Sequence, residues 1–138
     1  MAKRRPRAVR KRAPVTFDTV RSLGLGLPGA EEGTTYRTPA LKVRGKMFAC
    51  LASHKSAEPN TLAVRIDFDR RDELIAEDPD TYYLKDHYVN YPVVLVRLNR
   101  VDPDALRELL VIGWRNVLRT AKPRGGRARK RIGLLSLT

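Results

Sequence analysis

Residues 61–79 run "TLAVRIDFDRRDELIAEDP", and the change of rhythm inside them decides the fold. Leu62, Val64, Ile66 and Phe68 alternate with Ala63, Arg65 and Asp67, the two-residue period of a strand. From Asp69 onward charges crowd around the apolar pair Leu74 and Ile75. That spacing predicts a short helix, capped by Asp69, burying Leu74 and Ile75, and stopped before Pro79. Downstream, "TYYLK" (81–85) reads as a brief strand. "PVVLVRLN" (92–99) is almost continuously apolar, as a strand covered on both faces should be. A long helix opens at "DPDALRELL" (102–110), with Asp102 as cap and Pro103 at the first helical position. Leu106, Leu109, Leu110, Gly113, Val117 and Leu118 supply its buried face, and Trp114 extends it.

Upstream, "VTFDTVRSLGLGLPGAEEG" (15–33) predicts a first helix. Thr16 caps it, Val15 and Val20 form a hydrophobic staple, and Gly24, Gly26 and Pro28-Gly29 end it. In "TPALKVRGKMFACLA" (38–52), Leu41 and Val43 point one way and Lys42 and Arg44 the other. Gly45 makes the turn, and Met47 to Leu51 return as the second strand of a hairpin. The polar "SHKSAEPN" (53–60) is a loop. The order is helix, strands, short helix, strands, long helix: an α+β domain with an antiparallel sheet packed against helices.

The chain has 138 residues and a formal net charge of +13, and that charge is unevenly placed. Residues 1–14 carry Lys3, Arg4, Arg5, Arg7, Arg10, Lys11 and Arg12 without an acid. Residues 121–138 carry Lys122, Arg124, Arg127, Arg129, Lys130 and Arg131, again without an acid. Residues 15–120 then hold 15 basic and 15 acidic residues, so the domain is neutral and the whole excess lies in two basic arms. Such arms read as flexible segments that contact a polyanion. The single cysteine, Cys50, allows no intramolecular disulfide and fits a reducing, cytoplasmic compartment. No apolar run approaches the length of a membrane span, and no secretory leader is expected.

Three segments together are specific: "LPGAEEGTTYRTPALKVRGKMFACL" (27–51), "LAVRIDFDRRDELIAEDPDTYYLKDHYVNYPVVLVRL" (62–98) and "VDPDALRELLVIGWRNV" (101–117). In order and spacing, from about Phe17 to Leu118, the chain resembles the MmcQ/YjbR family of small bacterial proteins. The resemblance implies a compact α+β fold of YjbR type, related to the secretion-chaperone-like and CyaY-like architectures. It also implies DNA binding through hairpins in a double-wing arrangement, and it carries no active site to transfer. Leu41 and Val93 depart from the family pattern, standing where many members have an aromatic residue. Both arms lie outside the resemblance.

Three groups of residues are candidates for function. The arms would bind DNA, or RNA, by phosphate contacts that release counterions, with little sequence preference, and DNA binding would place the protein at the nucleoid. The hairpin turn puts Lys42, Arg44 and Lys46 at a protruding wing, with a solvated strand face as the plainer alternative. "TYYLKDHYVNYP" (81–92) gathers Tyr82, Tyr83, Tyr88 and Tyr91 with Lys85 and His87, a candidate ligand or stacking surface, or else the edge of a core. Catalysis has little support: His54 and His87 lie in different loops, and Cys50 has no base beside it in sequence. No phosphate loop, dinucleotide fingerprint or zinc spacing occurs, so neither cofactor nor metal is expected. The apolar end "IGLLSLT" (132–138) is a candidate added strand or partner contact. The expectation is a non-enzymatic DNA-binding protein. The competing expectation is a protein- or small-ligand-binding module whose arms add only nonspecific polyanion affinity.

Overall fold

Thr16 sits in extended backbone and accepts the Asp18 amide on its hydroxyl at 3.2 Å, which starts helix α1 (Phe17–Gly24) where a cap was expected. Val15 and Val20, the staple pair, are both buried. The computed structural model describes residues 15–35, 37–52 and 54–120. All thirteen basic arm residues lie outside the described residues. After α1 come β1 (Ala30–Thr35), β2 (Thr38–Val43), β3 (Lys46–Leu51), β4 (Thr61–Arg65) and α2 (Phe68–Glu77). There follow β5 (Tyr82–Tyr83), a 3₁₀ turn at Asp86–Tyr88, β6 (Val93–Arg97) and α3 (Pro103–Thr120).

The six strands form one sheet in the order β1-β2-β3-β4-β6-β5, every pairing antiparallel. With its three helices this is an α+β fold. Strand β1 has no apolar alternation and was not expected; it pairs along its whole length with β2, from Ala30↔Val43 to Thr35↔Thr38, and forms one edge of the sheet. An edge strand with one partner needs no apolar stripe, which explains its polar composition.

One face of the sheet carries the main core. Leu41 and Val43 of β2, Leu62 and Val64 of β4, and Val94 and Val96 of β6 pack there with Leu106, Leu109, Leu110 and Val117 of α3. A bulge alters the pattern in β3: Leu41 opposes Ala49 but Lys42 opposes Met47, so Phe48 is the extra residue. Phe48 and Ala49 consequently both reach the main core. Helix α3 approaches β3 and β4 closely at Gly113, where a Cβ would stand 3.0 Å from the Phe48 carbonyl and 2.9 Å from Val64 Cγ1. Only a residue without a side chain permits that approach. The Trp114 indole donates to the Pro28 carbonyl at 2.8 Å, which ties α3 to the α1–β1 connection.

Two local expectations need correction. Helix α2 begins at Phe68 with Asp67, not Asp69, in the cap position, and Asp67 makes no side-chain capping bond. Its carboxylate is engaged elsewhere, accepting from Asn116 Nδ2 at 2.7 Å and from the Arg119 guanidinium at 3.0 Å. Leu74 and Ile75 are half-buried at the margin of the core. Asp102 does cap α3, accepting the Asp104 amide at 3.0 Å, with Pro103 as the first helical residue.

Candidate functional site

The other face of the sheet is where chemistry can gather. Register places Ala40 opposite Cys50, Cys50 opposite Ala63 and Ala63 opposite Leu95, with Tyr83 beyond. These five residues form a second, smaller buried cluster. Ala40, Cys50 and Ala63 are short side chains on three adjacent strands, so the floor of this face is low. Two connections rise over it: the loop after β3, and the segment from Asp86 to Pro92.

Each connection is fastened. The Tyr83 hydroxyl accepts the Glu58 amide at 2.9 Å and lies 2.6 Å from the Thr61 hydroxyl. The Tyr88 hydroxyl accepts the His54 amide at 3.3 Å. From α2, buried Arg71 donates to the carbonyls of Val89 and Tyr91 at 3.0 and 3.1 Å, pinning the second connection. This role of Arg71 was not legible in sequence, where "DRRDEL" shows only an exposed charged helix face.

The two histidines, far apart in sequence, meet here. Their rings stack at 3.6 Å with an interplanar angle of 12°, and Tyr88 stands edge-on to both. His54 Nδ1 accepts the Ser56 amide at 3.0 Å and lies 2.7 Å from the Ser56 hydroxyl. An accepting Nδ1 leaves the proton on Nε2, so this arrangement requires the neutral ring. Loss of solvation and the neighbouring His87 and Lys55 charges push the His54 pKa down in the same direction.

Between these walls lies a cavity of about 480 Å³, lined among others by Cys50, Ala63, Arg65, His54, His87 and Tyr91. A second, more polar hollow of about 640 Å³ runs between the start of α2 and the end of α3, with Arg65 also in its wall. Arg65 is half-buried and forms no ion pair among the described residues. Among the described residues its side chain makes one hydrogen bond, a long one of 3.3 Å to the Thr120 hydroxyl, and its Nε is buried without a partner. Desolvation lowers its pKa. Arg97, on the same face, shows the usual solution: both Glu58 oxygens at 2.8 Å, the carbonyls of Pro79 and Asp80 at 3.0 Å, and the Tyr83 ring 4.2 Å from its Cζ. Cys50 is buried, and burial alone pushes its thiol up to about 11.

The tyrosine cluster divides. Tyr82 faces the main core, Tyr83 and Tyr88 belong to the second cluster, and Tyr91 is exposed at the cavity rim. His87 joins the cavity, while Lys85 lies 6.0 Å from the Tyr83 ring on the exposed side. The hairpin divides as well. Arg44 and Gly45 both take positive φ, 54° and 78°, which closes a two-residue turn. Lys46 pairs with Val43 and so shares the helix side, whereas Lys42 lies on the open side with its stem beside Gly33. The three cations therefore surround the tip and do not line one face; none has an ion-pair partner among the described residues. Among the described residues no three His, Cys, Asp or Glu side chains are grouped to hold a metal ion, and no helix is long and apolar enough to cross a membrane.

Comparison with known proteins gives the following. The family model described as YjbR matches residues 25–116, more than half of the chain, from just after α1 to near the end of α3. Uncharacterized proteins of Mycobacterium bovis and Mycobacterium tuberculosis are 42% identical over 41 residues, 30% of this chain and 32% of theirs. The chain thus spans about a third of the length of the curated relatives it matches. A Deinococcus radiodurans protein of known crystal structure, carrying a DUF419 domain, superposes with a TM-score of 0.66 at 25% identity, over 82% of this chain and 86% of that one.

Proposed function

The chain belongs to the YjbR family, and from that membership we propose that it is a non-enzymatic DNA-binding protein that grips backbone phosphates with little regard to sequence. The observation that carries this reading is the partition of charge: thirteen cations without an acid in residues 1–14 and 121–138, beside a domain whose charges sum to zero. Uncompensated Lys and Arg bind nucleic acid by releasing condensed counterions, and the gain does not depend on base identity.

The layout of the domain suits an oriented approach. The β2–β3 tip carries Lys42, Arg44 and Lys46 without ion-pair partners among the described residues. Toward the β5 edge of the sheet, α2 packs against β5 and β6, and residues 67–80 hold seven acids against two bases. A polyanion would be drawn to the hairpin tip and repelled from the α2 side. Absence of enzymatic activity is part of the proposal. It is supported by the Cys50 thiol, whose raised pKa is the reverse of what an activated nucleophile needs.

The test is duplex-DNA affinity as a function of salt for the full chain and for variants with Gln at the basic positions of either arm or of the hairpin. Every phosphate that a variant no longer neutralises should reduce the log–log slope by about 0.9, so the hairpin triple variant removes at most about 2.7. Affinity that is absent at low salt, or a slope indifferent to all three sets of substitutions, refutes the proposal.

A further inference from the structure

We infer that the open face of the sheet is a binding site for a small, flat aromatic carboxylate, seated over Cys50 and Ala63 between Arg65 and the stacked His54–His87 pair. The inference stands apart from DNA binding and uses none of the arm residues.

Shape comes first. Short side chains on adjacent strands leave the floor low, and two fastened connections raise walls around it. The resulting volume, about 480 Å³, falls in the range of sites that enclose small molecules. The walls are flat rings: His54, His87, Tyr88 and Tyr91 come from two separate connections and converge on one space. Ring faces and edges at that spacing favour a planar, polarizable guest over a branched aliphatic one.

Charge then selects among planar guests. Arg65 lines the end of this cavity and the neighbouring α2–α3 hollow; its guanidinium makes one long bond to the Thr120 hydroxyl, and among the described residues its buried Nε has no partner. A cation withdrawn from water without a counter-ion is costly, and an incoming carboxylate would offset that cost with a charge-assisted pair. Arg97 on the same face already has Glu58, and Arg71 already holds two carbonyls. Among the described residues of this face, Arg65 is thus the guanidinium left to recognise an acid. The neutral state of His54 matters too: an uncharged imidazole in the wall does not compete with Arg65 for the acid.

The chain contains two histidines, and both lie in this wall, so their imidazole proton signals report on the site directly. We would titrate the full chain with naphthalene-2-carboxylate and, separately, with naphthalene-2-methanol, following those signals by NMR. Acetate at equal concentration controls for attraction of carboxylates to the basic ends. Expected is a saturable shift of both histidines with the acid, at least tenfold tighter than with the alcohol, and none with acetate. Arg65→Gln should bring the acid down to the affinity of the alcohol and leave the alcohol unchanged; its starting histidine spectrum shows whether the stack persists. The acid–alcohol comparison on the unaltered chain needs no variant. Unmoved or non-saturating histidine signals, equal binding of acid and alcohol, or an Arg65→Gln chain that still prefers the acid would each overturn the inference.

Discussion

Replacing Gly113 by alanine sets two effects against each other, and the geometry decides between them. In a helix interior alanine is favoured over glycine by about 1 kcal/mol. Against that, a Cβ at this position would lie 2.9 Å from Val64 Cγ1, 3.0 Å from the Phe48 carbonyl oxygen and 3.1 Å from the Arg65 carbonyl oxygen. Two of these three atoms are main chain of β3 and β4, adjacent strands whose ladder resists displacement. Relief therefore requires α3 to lift from the sheet, loosening Leu106, Leu109, Leu110 and Val117 together. Overpacking of this kind costs about 1–3 kcal/mol, and a clash with backbone belongs at the upper end. The net expectation for Gly113→Ala is a loss of about 1–2 kcal/mol. Each kcal/mol corresponds to about 4–8 °C in a domain of this size. Thermal and urea unfolding of the full chain, followed by circular dichroism, reads it. Gly26→Ala serves as control: its Cβ would meet only the Leu23 carbonyl at 3.5 Å, an ordinary contact, and should be close to neutral. A Gly113→Ala chain as stable as the parent, or more so, would show that the close approach of α3 is not tight and would refute the reasoning.

Acid should weaken the fold through His54. Its folded pKa is depressed below 6.5, so the unfolded chain binds more protons and stability rises with pH across this window. The loss begins as pH falls through about 6.5 and is complete below the lower folded value. Midpoints measured between pH 5 and 7.5 should show this slope in the parent and a shallower one in His54→Asn; an identical slope in the two would remove His54 as its source. Cys50, with its thiol pushed up to about 11, should alkylate slowly. At pH 8 its thiolate fraction is about 100-fold below that of a cysteine near 9, an effect partly offset by the greater nucleophilicity of the more basic thiolate, so iodoacetamide labelling followed by mass should lag the denatured chain by at least about tenfold. Comparable rates in the two states would place the thiol in water.

Much of the architecture was legible because burial and period coincide. Thr16, Asp102 and Pro103 announce helix starts by their own chemistry, and the alternation around Leu62, Val64 and Ile66 names the inward side of β4 without help. Strand β1 escaped because "AEEGTT" is an edge segment: its evidence is the backbone of β2, which no local pattern records. The bulge at Phe48 escaped for the opposite reason, since an apolar run from Met47 to Leu51 reads equally well with or without an extra residue. The cap of α2 was misplaced because Asp67 and Asp69 are equivalent in sequence, and only the long-range demand of Asn116 and Arg119 distinguishes them.

The candidate site was legible in part. His87, Tyr88 and Tyr91 were marked by composition, but their meeting with His54 spans a loop and four strands of topology. Arg65 looked like one more outward cation on a strand. What sets it apart is a half-buried guanidinium with a buried Nε and no acid beside it among the described residues, a property of its neighbours rather than of the residue.

The two margins of the sheet have a consequence of their own. At one margin stands β1 with Glu31 and Glu32, both exposed; at the other stands β5, two residues long. An open sheet invites further strands from other molecules, and these margins discourage them in different ways, one by a polar strand whose exposed Glu31 keeps its water and whose Glu32 is held by Arg21 at 3.0 Å, the other by offering almost no ladder to extend. Crowding copies together, whether in a test tube or along a polymer, should therefore leave them as separate molecules instead of seeding a continuous β-ribbon.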